Sequence, residues 1–586
     1  MQKNLYTFLI ISLSISICAN SNEDKKLISF LDNYYKIHLS YFPIEATENG
    51  FYGYNDLFTI TIDDDFIESH KIFLVNTLHS LKEFDTDSLS EKLKISHDLL
   101  TYQMHEKLES YKFSDNLFLI DQYHFLMQFI RMGSGKGSQP FKSLRDYDNF
   151  LRRIDGFIEG IHVAIINLSK GIEEGIVLPK RVTEKTLQVV RDLLSKDLYQ
   201  NEFYQPVLYF PENFSPQHKV FYENVYKDMI EDKLLPAFKE LEGFLSNTYI
   251  YKCSDDIGMS ALPNGNEWYK QYIKHHTTLD IHPDSIMQIG LDEIVKTKSA
   301  MNELKGDAFP AANVFQYKDY LYKNSNLVYT AEKLLDQYDD IAEKIEDNIS
   351  DYFTVIPESQ FELEAIKDAR SNYFGAHYIP SPKQSDPGVF YFDARSMSEY
   401  GRRANKSILL HEAIPGHHFQ TSLSRENNSL PDFQKYSYNG GYSEGWALYA
   451  ESLGKELEVY DSDLDLLIKL ESDLYRAVRL VVDTGIHYRG WTYIQAINYF
   501  KNQTGSTTEY AIKEVERYIT MPGQALSYKL GELKIIELRN YARNALGDKF
   551  SLKEFHTKIL EDGALPLPIL GEKIKRWVKK ITLSTN

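Results

Sequence analysis

The sequence predicts a mostly α-helical fold with a small β-hairpin or short sheet, and two observations support this prediction. Apolar residues recur at intervals of three and four along much of the chain, which is the spacing of one face of an α-helix. One short segment instead has the composition of a β-strand and follows a cluster of helix-breaking residues.

Three segments carry the helical pattern most clearly. The first and longest covers residues 144–168, where one helical face is apolar: Leu144, Tyr147, Leu151, Ile154, Ile158, Ile161, Ile165 and Leu168. A second helix is predicted after Pro283 and Asp284, which form a start signal, and a third over residues 461–482.

The predicted strand is Gly388–Asp393, with the sequence GVFYFD, after a loop that contains three prolines. Such a strand just before the helix discussed below could offer an edge on which a peptide substrate pairs. The simpler interpretation, which we prefer, is a short structural hairpin.

The chain has 586 residues, which suffices for one large domain with two lobes or for two domains that share a core. The composition changes near residue 250, so we predict an N-terminal helical lobe over 21–250 and a catalytic, metal-binding lobe over 251–586. A single continuous domain remains the alternative.

Residues 1–20 have the pattern of a signal peptide. Lys3 is followed by an apolar run from Leu5 to Ile17, too short for a stable membrane span, and the chain then becomes polar. Cys18 closes the run, so a lipoprotein signal and ordinary cleavage near Ala19 or Asn20 both remain open. The sequence predicts an exported protein, periplasmic, envelope-anchored or secreted, that meets a membrane only through a lipid on Cys18.

Charge and cysteine content exclude several classes of site. A net charge of −19 argues against a nucleic-acid partner, because phosphates require basic surfaces. Cys253 is the single cysteine beyond the signal, so a cysteine-based zinc site is excluded. Any metal must be held by histidines and carboxylates.

The segment 407–420, SILLHEAIPGHHFQ, predicts such a site. A zinc-peptidase helix usually carries two histidines four residues apart and a glutamate that acts as base. Here His411 and Glu412 are followed by histidines at 417 and 418, which lie about 9 and 10.5 Å further along a straight helix. Pro415 and Gly416 permit the break that would bring one of them back to His411.

A third ligand is predicted in the segment 440–454, GGYSEGWALYAESLG. Glu444 is our first candidate, because Gly445 beside it allows a neighbouring helix to approach closely. Glu451 is the alternative, one heptad later on the same helical face.

Four segments, HEAIPGHHFQ, EGWALYAE, VVDTGIHYRGW and MPGQALSYKLGE, resemble the bacterial domain-of-unknown-function 885 family over nearly the whole mature chain. Many of its members carry lipoprotein or secretion signals, and the family is similar in arrangement to helical zinc peptidases of the thimet oligopeptidase and angiotensin-converting enzyme type. The resemblance implies a mostly α fold with a central channel between two lobes. It also implies His411, His417 and Glu444 as ligands of Zn²⁺, with His418 as the alternate histidine.

The predicted reaction is hydrolysis of a peptide or small amide substrate by metal-activated water, as in an oligopeptidase or carboxypeptidase, with Glu412 as general base. A hydroxyl or imidazole should stabilise the oxyanion, and the candidates are Tyr528 first and His487 second. Asp483, one turn before His487, could orient that histidine or a metal ligand. Four side chains are candidates for binding a substrate carboxylate: Gln524, Lys529, Arg479 and Arg489.

The same residues are compatible with two other functions and with another metal. A zinc amidase or deacylase acting on a non-peptide substrate would use the same metal chemistry. A non-catalytic envelope protein with a structural metal is less consistent with the sequence, since closed structural sites have four protein ligands. The metal could also be another divalent ion.

Overall fold

The computed structural model describes residues 22–118, 125–135, 137–306, 313–366, 375–382, 386–395 and 401–583. The predicted signal segment and Cys18 lie outside these residues. The described part is mostly helical with one small mixed sheet, which confirms the predicted fold class.

The helices of the first half include two of the three that the sequence predicts. Their bounds are α1 Asn22–Tyr41, α2 Pro43–Glu48, α3 Asp64–Leu81, α4 Glu91–Ser110, α5 Phe125–Gly133, α6 Leu144–Glu174, α7 Lys180–Ser195, α8 Gln205–Leu208, α9 Pro216–Met229, α10 Leu235–Asn247, α11 Gly265–Thr277, α12 Pro283–Lys305, α13 Val314–Lys323 and α14 Ala331–Ile349.

The second half carries the candidate site. Its helices are α15 Lys406–Glu412, α16 His417–Glu426, α17 Asp432–Lys435, α18 Gly440–Ser452, α19 Asp463–His487, α20 Tyr493–Thr504, α21 Thr508–Thr520, α22 Ser527–Leu546, α23 Leu552–Leu560 and α24 Leu567–Leu583.

Local sequence explains the predicted helices. Ser143 and Asp146 form a capping box that starts α6, and Gly175 ends it in the left-handed conformation. Pro283 begins α12 at a position where its missing N–H costs nothing. The third predicted helix is α19, which Ser462 caps.

The sheet has the order β1–β3–β2, with strands β1 Phe361–Ile366, β2 His377–Ile379 and β3 Gly388–Asp393. The predicted strand β3 is therefore the central one, parallel to β1 and antiparallel to β2. Its Phe390 and Phe392 side chains are buried against Tyr338 of α14. Because both edges of β3 are paired, the strand is structural, as preferred above, and β2 is the edge nearest the candidate site.

Two large hydrophobic clusters form the core. One joins residues of α5–α10 to residues of α12 and α19–α21, and the other joins α1, α3 and α4 to α14, β3, α15–α18 and α22–α24. Each cluster thus contains side chains from both sides of residue 250. The division at that residue stays a prediction.

Helices α18 and α22 cross at a pair of glycines. A Cβ atom at Gly445 would lie 2.4 Å from the carbonyl carbon of Gly531, so neither position has room for a side chain. This close approach, expected from Gly445, fixes α18 and with it the side chain of Glu444.

Candidate metal centre

The chain breaks between His411 and His417, as the proline and glycine predict. Helix α15 ends at Glu412, and α16 begins at His417, with non-helical backbone at Ala413 and Gly416 between them. A Cβ atom on Gly416 would lie 1.8 Å from the carbonyl oxygen of His411, so only glycine fits the folded-back backbone there.

Trp446 of α18 holds this break in place. Its indole N–H donates a 2.8 Å hydrogen bond to the carbonyl oxygen of Pro415, and its side chain is fully buried. The break leaves that carbonyl outside a helical ladder, so the indole supplies the partner that a buried carbonyl requires.

The break brings together His411, His417 and Glu444. A carboxylate oxygen of Glu444, Oε2, lies 3.7 Å from Nε2 of His411 and 3.4 Å from Nε2 of His417. The three ligand atoms all lie within 4.8 Å of one another. His411 and Glu444 are buried, and His417 is partly exposed.

These distances fit a bound divalent ion. Zinc bonds of 2.0–2.1 Å in a tetrahedron place neighbouring ligand atoms about 3.3 Å apart. Moreover, Glu444 Oε2 is buried without a hydrogen-bond partner among the described residues, a costly arrangement unless a cation is there to pair with it. The residue set of two imidazoles and one carboxylate therefore fits a metal that keeps an open position.

Glu451, the alternative ligand, occupies a supporting position. Its carboxylate accepts a 2.9 Å hydrogen bond from Nδ1 of His411, so Nε2 of His411 is the nitrogen that faces Glu444. Ser472 of α19 donates to the other oxygen of Glu451, and Arg476 lies 3.8 Å away. Such a carboxylate behind a histidine fixes the tautomer and orientation of a metal-binding imidazole.

The electrostatics around His411 favour a positive charge. Burial lowers the pKa of His411, but the Glu444 and Glu451 carboxylates outweigh it and raise that pKa to about 10. Burial raises the pKa of Glu444, while His411 and His417 bring it well below its usual range. Negative potential of this kind attracts a proton or, equally, a metal ion.

His418 points away from the cluster, although it is adjacent to His417. Its Nε2 donates to the carbonyl oxygen of Ser359 at 3.1 Å, and its Nδ1 lies 3.0 Å from the Tyr378 hydroxyl. Burial lowers the pKa of His418 to about 4, so it is a neutral side chain that ties α16 to the sheet region.

Glu412 follows His411 directly and is buried. Its Oε2 accepts a 3.0 Å hydrogen bond from the backbone N–H of Tyr378, on edge strand β2. The strand thus orients the carboxylate, and the negative charge of Glu412 acts on His411.

Tyr528 lies on the other side of His411. The two rings are nearly parallel, with centroids 6.4 Å apart. The Tyr528 hydroxyl accepts a 3.4 Å hydrogen bond from Arg517 and lies 3.5 Å from the amide nitrogen of Gln524. Tyr528 and Gln524 therefore belong to one polar group beside the cluster, and Arg517 joins them.

The three basic candidates for carboxylate binding have internal partners. Lys529 is buried and forms ion pairs with Glu532 at 2.6 Å and Asp473 at 3.4 Å. Arg479 is buried, pairs with Glu514 at 3.4 Å and donates to Tyr518 and Tyr475. Arg489 forms an exposed pair with Asp284.

His487 and Asp483 have other partners than the predicted ones. His487 accepts from the Met259 N–H and donates to the Tyr518 carbonyl, so backbone groups occupy both ring nitrogens. Asp483 accepts hydrogen bonds from the Tyr269 hydroxyl and the Gly523 N–H. Its burial raises the Asp483 pKa to about 7.

Sequence reasoning missed two residues at the site, Tyr438 and Arg517. The Tyr438 hydroxyl donates to Oε1 of Glu444 at 3.3 Å, although 66% of the residue surface is exposed. Nothing distinguishes this residue among 42 tyrosines, and Arg517 looks like an ordinary charge on an amphipathic helix. Only the fold brings either of them to the cluster.

A cavity of about 680 Å³ opens beside the cluster, with His417 and Glu444 in its wall. This volume is typical of small-ligand sites. Four further wall residues are tyrosines from α1 and from the loop before α18: Tyr34, Tyr35, Tyr436 and Tyr438. The wall also contains Arg425, whose guanidinium lies 5.3 Å from the ring centroid of Tyr436.

Comparison with known proteins identifies relatives of unknown function. A bacterial protein family of unknown function, DUF885, matches residues 43–574. No curated protein matches. Among the described residues, no helix combines the length and apolar character needed to cross a bilayer.

Two solved structures share the fold over nearly the whole chain. A protein of Colwellia psychrerythraea, provisionally described as a lipoprotein, is 24% identical, with a TM-score of 0.87, over 96% of this chain and 100% of its own. A protein of Shewanella oneidensis, provisionally described as a lipoprotein of unknown function, is 17% identical, with a TM-score of 0.71, over 93% and 99%.

Proposed function

The chain belongs to the bacterial DUF885 family of unknown function, and we propose that it is a metal-dependent hydrolase of peptide or amide bonds. The observation that carries the proposal is the His411–His417–Glu444 cluster. Its three donor atoms lie within 4.8 Å of one another, and the Glu444 Oε2 atom is buried without a hydrogen-bond partner among the described residues.

Three protein ligands favour a catalytic site over a structural one, because structural zinc sites use four. When bound, a divalent ion, with zinc the first expectation, supplies Lewis-acid activation of water and of the scissile carbonyl. The arrangement resembles that of helical zinc peptidases, in which two histidines and a glutamate bind the metal.

Glu412 is the proposed general base. Its carboxylate is adjacent to His411 in sequence and is oriented by the Tyr378 N–H on β2. It accepts a proton from the attacking water and returns it to the leaving nitrogen as the C–N bond breaks. Water thus contributes a hydroxyl group to the carbonyl carbon and a proton to the amine.

Tyr528 is the proposed oxyanion donor. Its ring is held parallel to that of His411, and Arg517 donates to its hydroxyl oxygen. A neighbouring guanidinium leaves the phenolic hydrogen available to a developing negative charge. His487 is the weaker candidate, because backbone groups engage both of its ring nitrogens.

The tyrosine-lined cavity supports a short peptide as the substrate. Its volume of about 680 Å³ is too small for a folded protein. The aromatic wall offers apolar area together with hydroxyl groups, which suits peptide side chains and backbone.

Export is part of the proposal. The segment 1–20 has a signal pattern, and the two structural relatives are provisionally described as lipoproteins. We propose that the protein works in the envelope or outside the cell, anchored by a lipid on Cys18 if that residue begins the mature chain. Loss of radiolabelled palmitate incorporation in Cys18→Ser would support the anchor, and unlabelled wild-type protein would exclude it.

A peptide-library digest tests the function. Zinc-loaded protein should cleave short peptides, lose activity with a chelator and regain it with Zn²⁺. Glu412→Gln should keep the metal and lose about 10²- to 10⁴-fold in turnover. A matched control is Glu456→Gln, since Glu456 pairs with Arg539 away from the cluster. If Glu412→Gln turns over at the wild-type rate, its role as base is wrong.

A panel of N-acyl amino acids should accompany the library. Hydrolysis confined to that panel would assign a deacylase or amidase with the same metal chemistry. No hydrolysis in either set by metal-loaded protein would contradict the proposed enzyme.

A further inference from the structure

The polar group beside Tyr528 contains Arg517, a cation that has no ion-pair partner within 4.0 Å among the described residues. Glu514 acts on Arg517 electrostatically but forms its ion pair with Arg479. This inference rests on the proposed function: we propose that Arg517, with Gln524, binds the C-terminal carboxylate of a peptide substrate. The protein would then be an exopeptidase that releases a short C-terminal fragment.

Arg517 lies close to the candidate metal ligands. Its Nη2 donates to the Tyr528 hydroxyl at 3.4 Å and to Oε1 of Gln524 at 3.1 Å. Tyr528 stacks on His411, and Arg517 also acts electrostatically on Tyr438, whose hydroxyl contacts Glu444. Arg517 thus bonds to a tyrosine whose ring faces His411 and lies within electrostatic range of a second tyrosine that bonds to Glu444.

The hydrogen-bond partners of Arg517 among the described residues are neutral oxygens. No described carboxylate lies within 4.0 Å of its guanidinium, and Glu514, one turn earlier on α21, instead pairs with Arg479. The other cationic candidates differ in this respect, since Lys529, Arg479 and Arg489 all have carboxylate partners. A planar guanidinium with free donors is suited to bidentate binding of a carboxylate.

The charge of the surrounding cluster favours an anionic ligand. Arg476, Arg479 and Arg517 lie together around the Tyr528 ring and hydroxyl. Their nearest acids are Glu451, 3.8 Å from Arg476, and Glu514, 3.4 Å from Arg479. Within 4.0 Å, the three arginines therefore have two described carboxylate partners, and a positive charge buried without such a partner is costly unless a ligand compensates it.

Buried donor atoms of the two neighbouring arginines also indicate an anionic ligand at this place. Nη1 of Arg479 and Nε of Arg476 are buried without hydrogen-bond partners in the described part of the chain. Arg479 is only 2% exposed, and its guanidinium lies 4.5 Å from the Tyr528 ring centroid. Buried donors without partners are rare in folded proteins and mark a place where a ligand or ordered water binds.

The test compares two peptides that differ only at the C-terminus, acetyl-Ala-Ala-Phe as the free acid and as the amide. For hydrolysis, wild-type protein should prefer the free acid. Arg517→Gln should lower kcat/KM for both peptides to the extent that its bond to Tyr528 supports hydrolysis. It should in addition lower the ratio of kcat/KM for the free acid to kcat/KM for the amide about 10- to 100-fold, as expected for a charged hydrogen bond. Arg517→Lys should restore part of the difference.

A binding measurement separates this inference from the proposed function. Calorimetric titration of zinc-loaded Glu412→Gln with both peptides requires no turnover. Adding Arg517→Gln should raise the Kd of the free acid about 10- to 100-fold and leave that of the amide unchanged. The control is Arg191→Gln, because Arg191 is an exposed arginine paired with Glu242, and it should change neither value.

The outcomes decide between the two claims. Equal losses for acid and amide in Arg517→Gln and Arg517→Lys would assign Arg517 a purely structural role and overturn the inference. Hydrolysis of the free acid and the amide with equal kcat/KM would overturn the carboxylate-binding inference and would still support the proposed function. Acid–amide discrimination in binding, without hydrolysis of any peptide by wild-type protein, would support the carboxylate site and contradict the peptidase.

Discussion

The indole N–H of Trp446 lies 2.8 Å from the carbonyl oxygen of Pro415. This bond joins the break between α15 and α16 to the helix that carries Glu444. This buried contact therefore links the segment between His411 and His417 to the helix of Glu444, and its loss should affect both folding and metal binding.

Replacing Trp446 with phenylalanine keeps an aromatic ring and removes the donor. The Pro415 carbonyl is then left without its partner, so we expect a loss of about 1–3 kcal/mol in the free energy of unfolding. Urea unfolding of the metal-free protein measures this loss. Trp577→Phe, at a half-buried position of α24, should cost less than about 1 kcal/mol. Equal stabilities of the two variants would contradict the role of the bond.

Glu451→Gln removes the negative charge behind His411 and keeps an oxygen that can accept from Nδ1. We expect zinc affinity to fall about 10- to 100-fold, as for other partners that orient metal-binding histidines. Competition with a chromogenic chelator gives the Kd. If Glu451 were itself a ligand, the loss would be larger and the stoichiometry would change.

Gly445→Ala and Gly243→Ala should have opposite effects on stability. A Cβ atom at Gly445 meets the backbone of Gly531 at 2.4 Å, so the two helices must separate, at a cost of about 1–3 kcal/mol. Gly243, within α10, has only the Asn247 side chain nearby, at 3.9 Å. Alanine there should stabilise the protein by up to about 1 kcal/mol. Thermal unfolding compares them, and a stable Gly445→Ala protein would contradict the tight crossing.

Asp483 should make the protein less stable as the pH rises from about 4 to about 7. Burial raises the pKa of Asp483 from 3.8 to about 7, so in this range the unfolded chain releases a proton that the folded protein retains. The unfolded state then binds fewer protons, and the free energy of unfolding falls with increasing pH, by up to about 4 kcal/mol.

Asp483→Asn provides the matching control, because the amide oxygen can still accept from Tyr269 and Gly523 but does not titrate. Urea unfolding at pH 4.5 and pH 7.5 should show a smaller pH dependence in the variant than in wild-type protein. An identical dependence in both proteins would assign the effect to other groups.

Local chemistry explains what the sequence could predict. The apolar period of α6, the composition of β3 and the helix break at Pro415–Gly416 all depend on residues close together in the chain. The break follows from a missing N–H and a missing side chain, so its position could be read directly.

Other features depend on contacts between distant segments. Whether His417 or His418 faces Glu444 is decided by the backbone direction after the break, since the two are adjacent. Glu444 and Glu451 share a helical face, and only the distances to His411 distinguish the candidate ligand from its supporting carboxylate. Arg479 and Lys529 are neutralised by acids on other elements or turns, which a count of charges cannot reveal.

The most direct test of the account is the metal content of purified protein and of two adjacent variants, His417→Ala and His418→Ala, measured by elemental analysis after dialysis. We predict about one zinc ion per chain in wild-type protein and in His418→Ala, and a loss of most of the metal in His417→Ala. Retention of metal by His417→Ala, or its absence from wild-type protein supplied with zinc, would contradict the proposed centre.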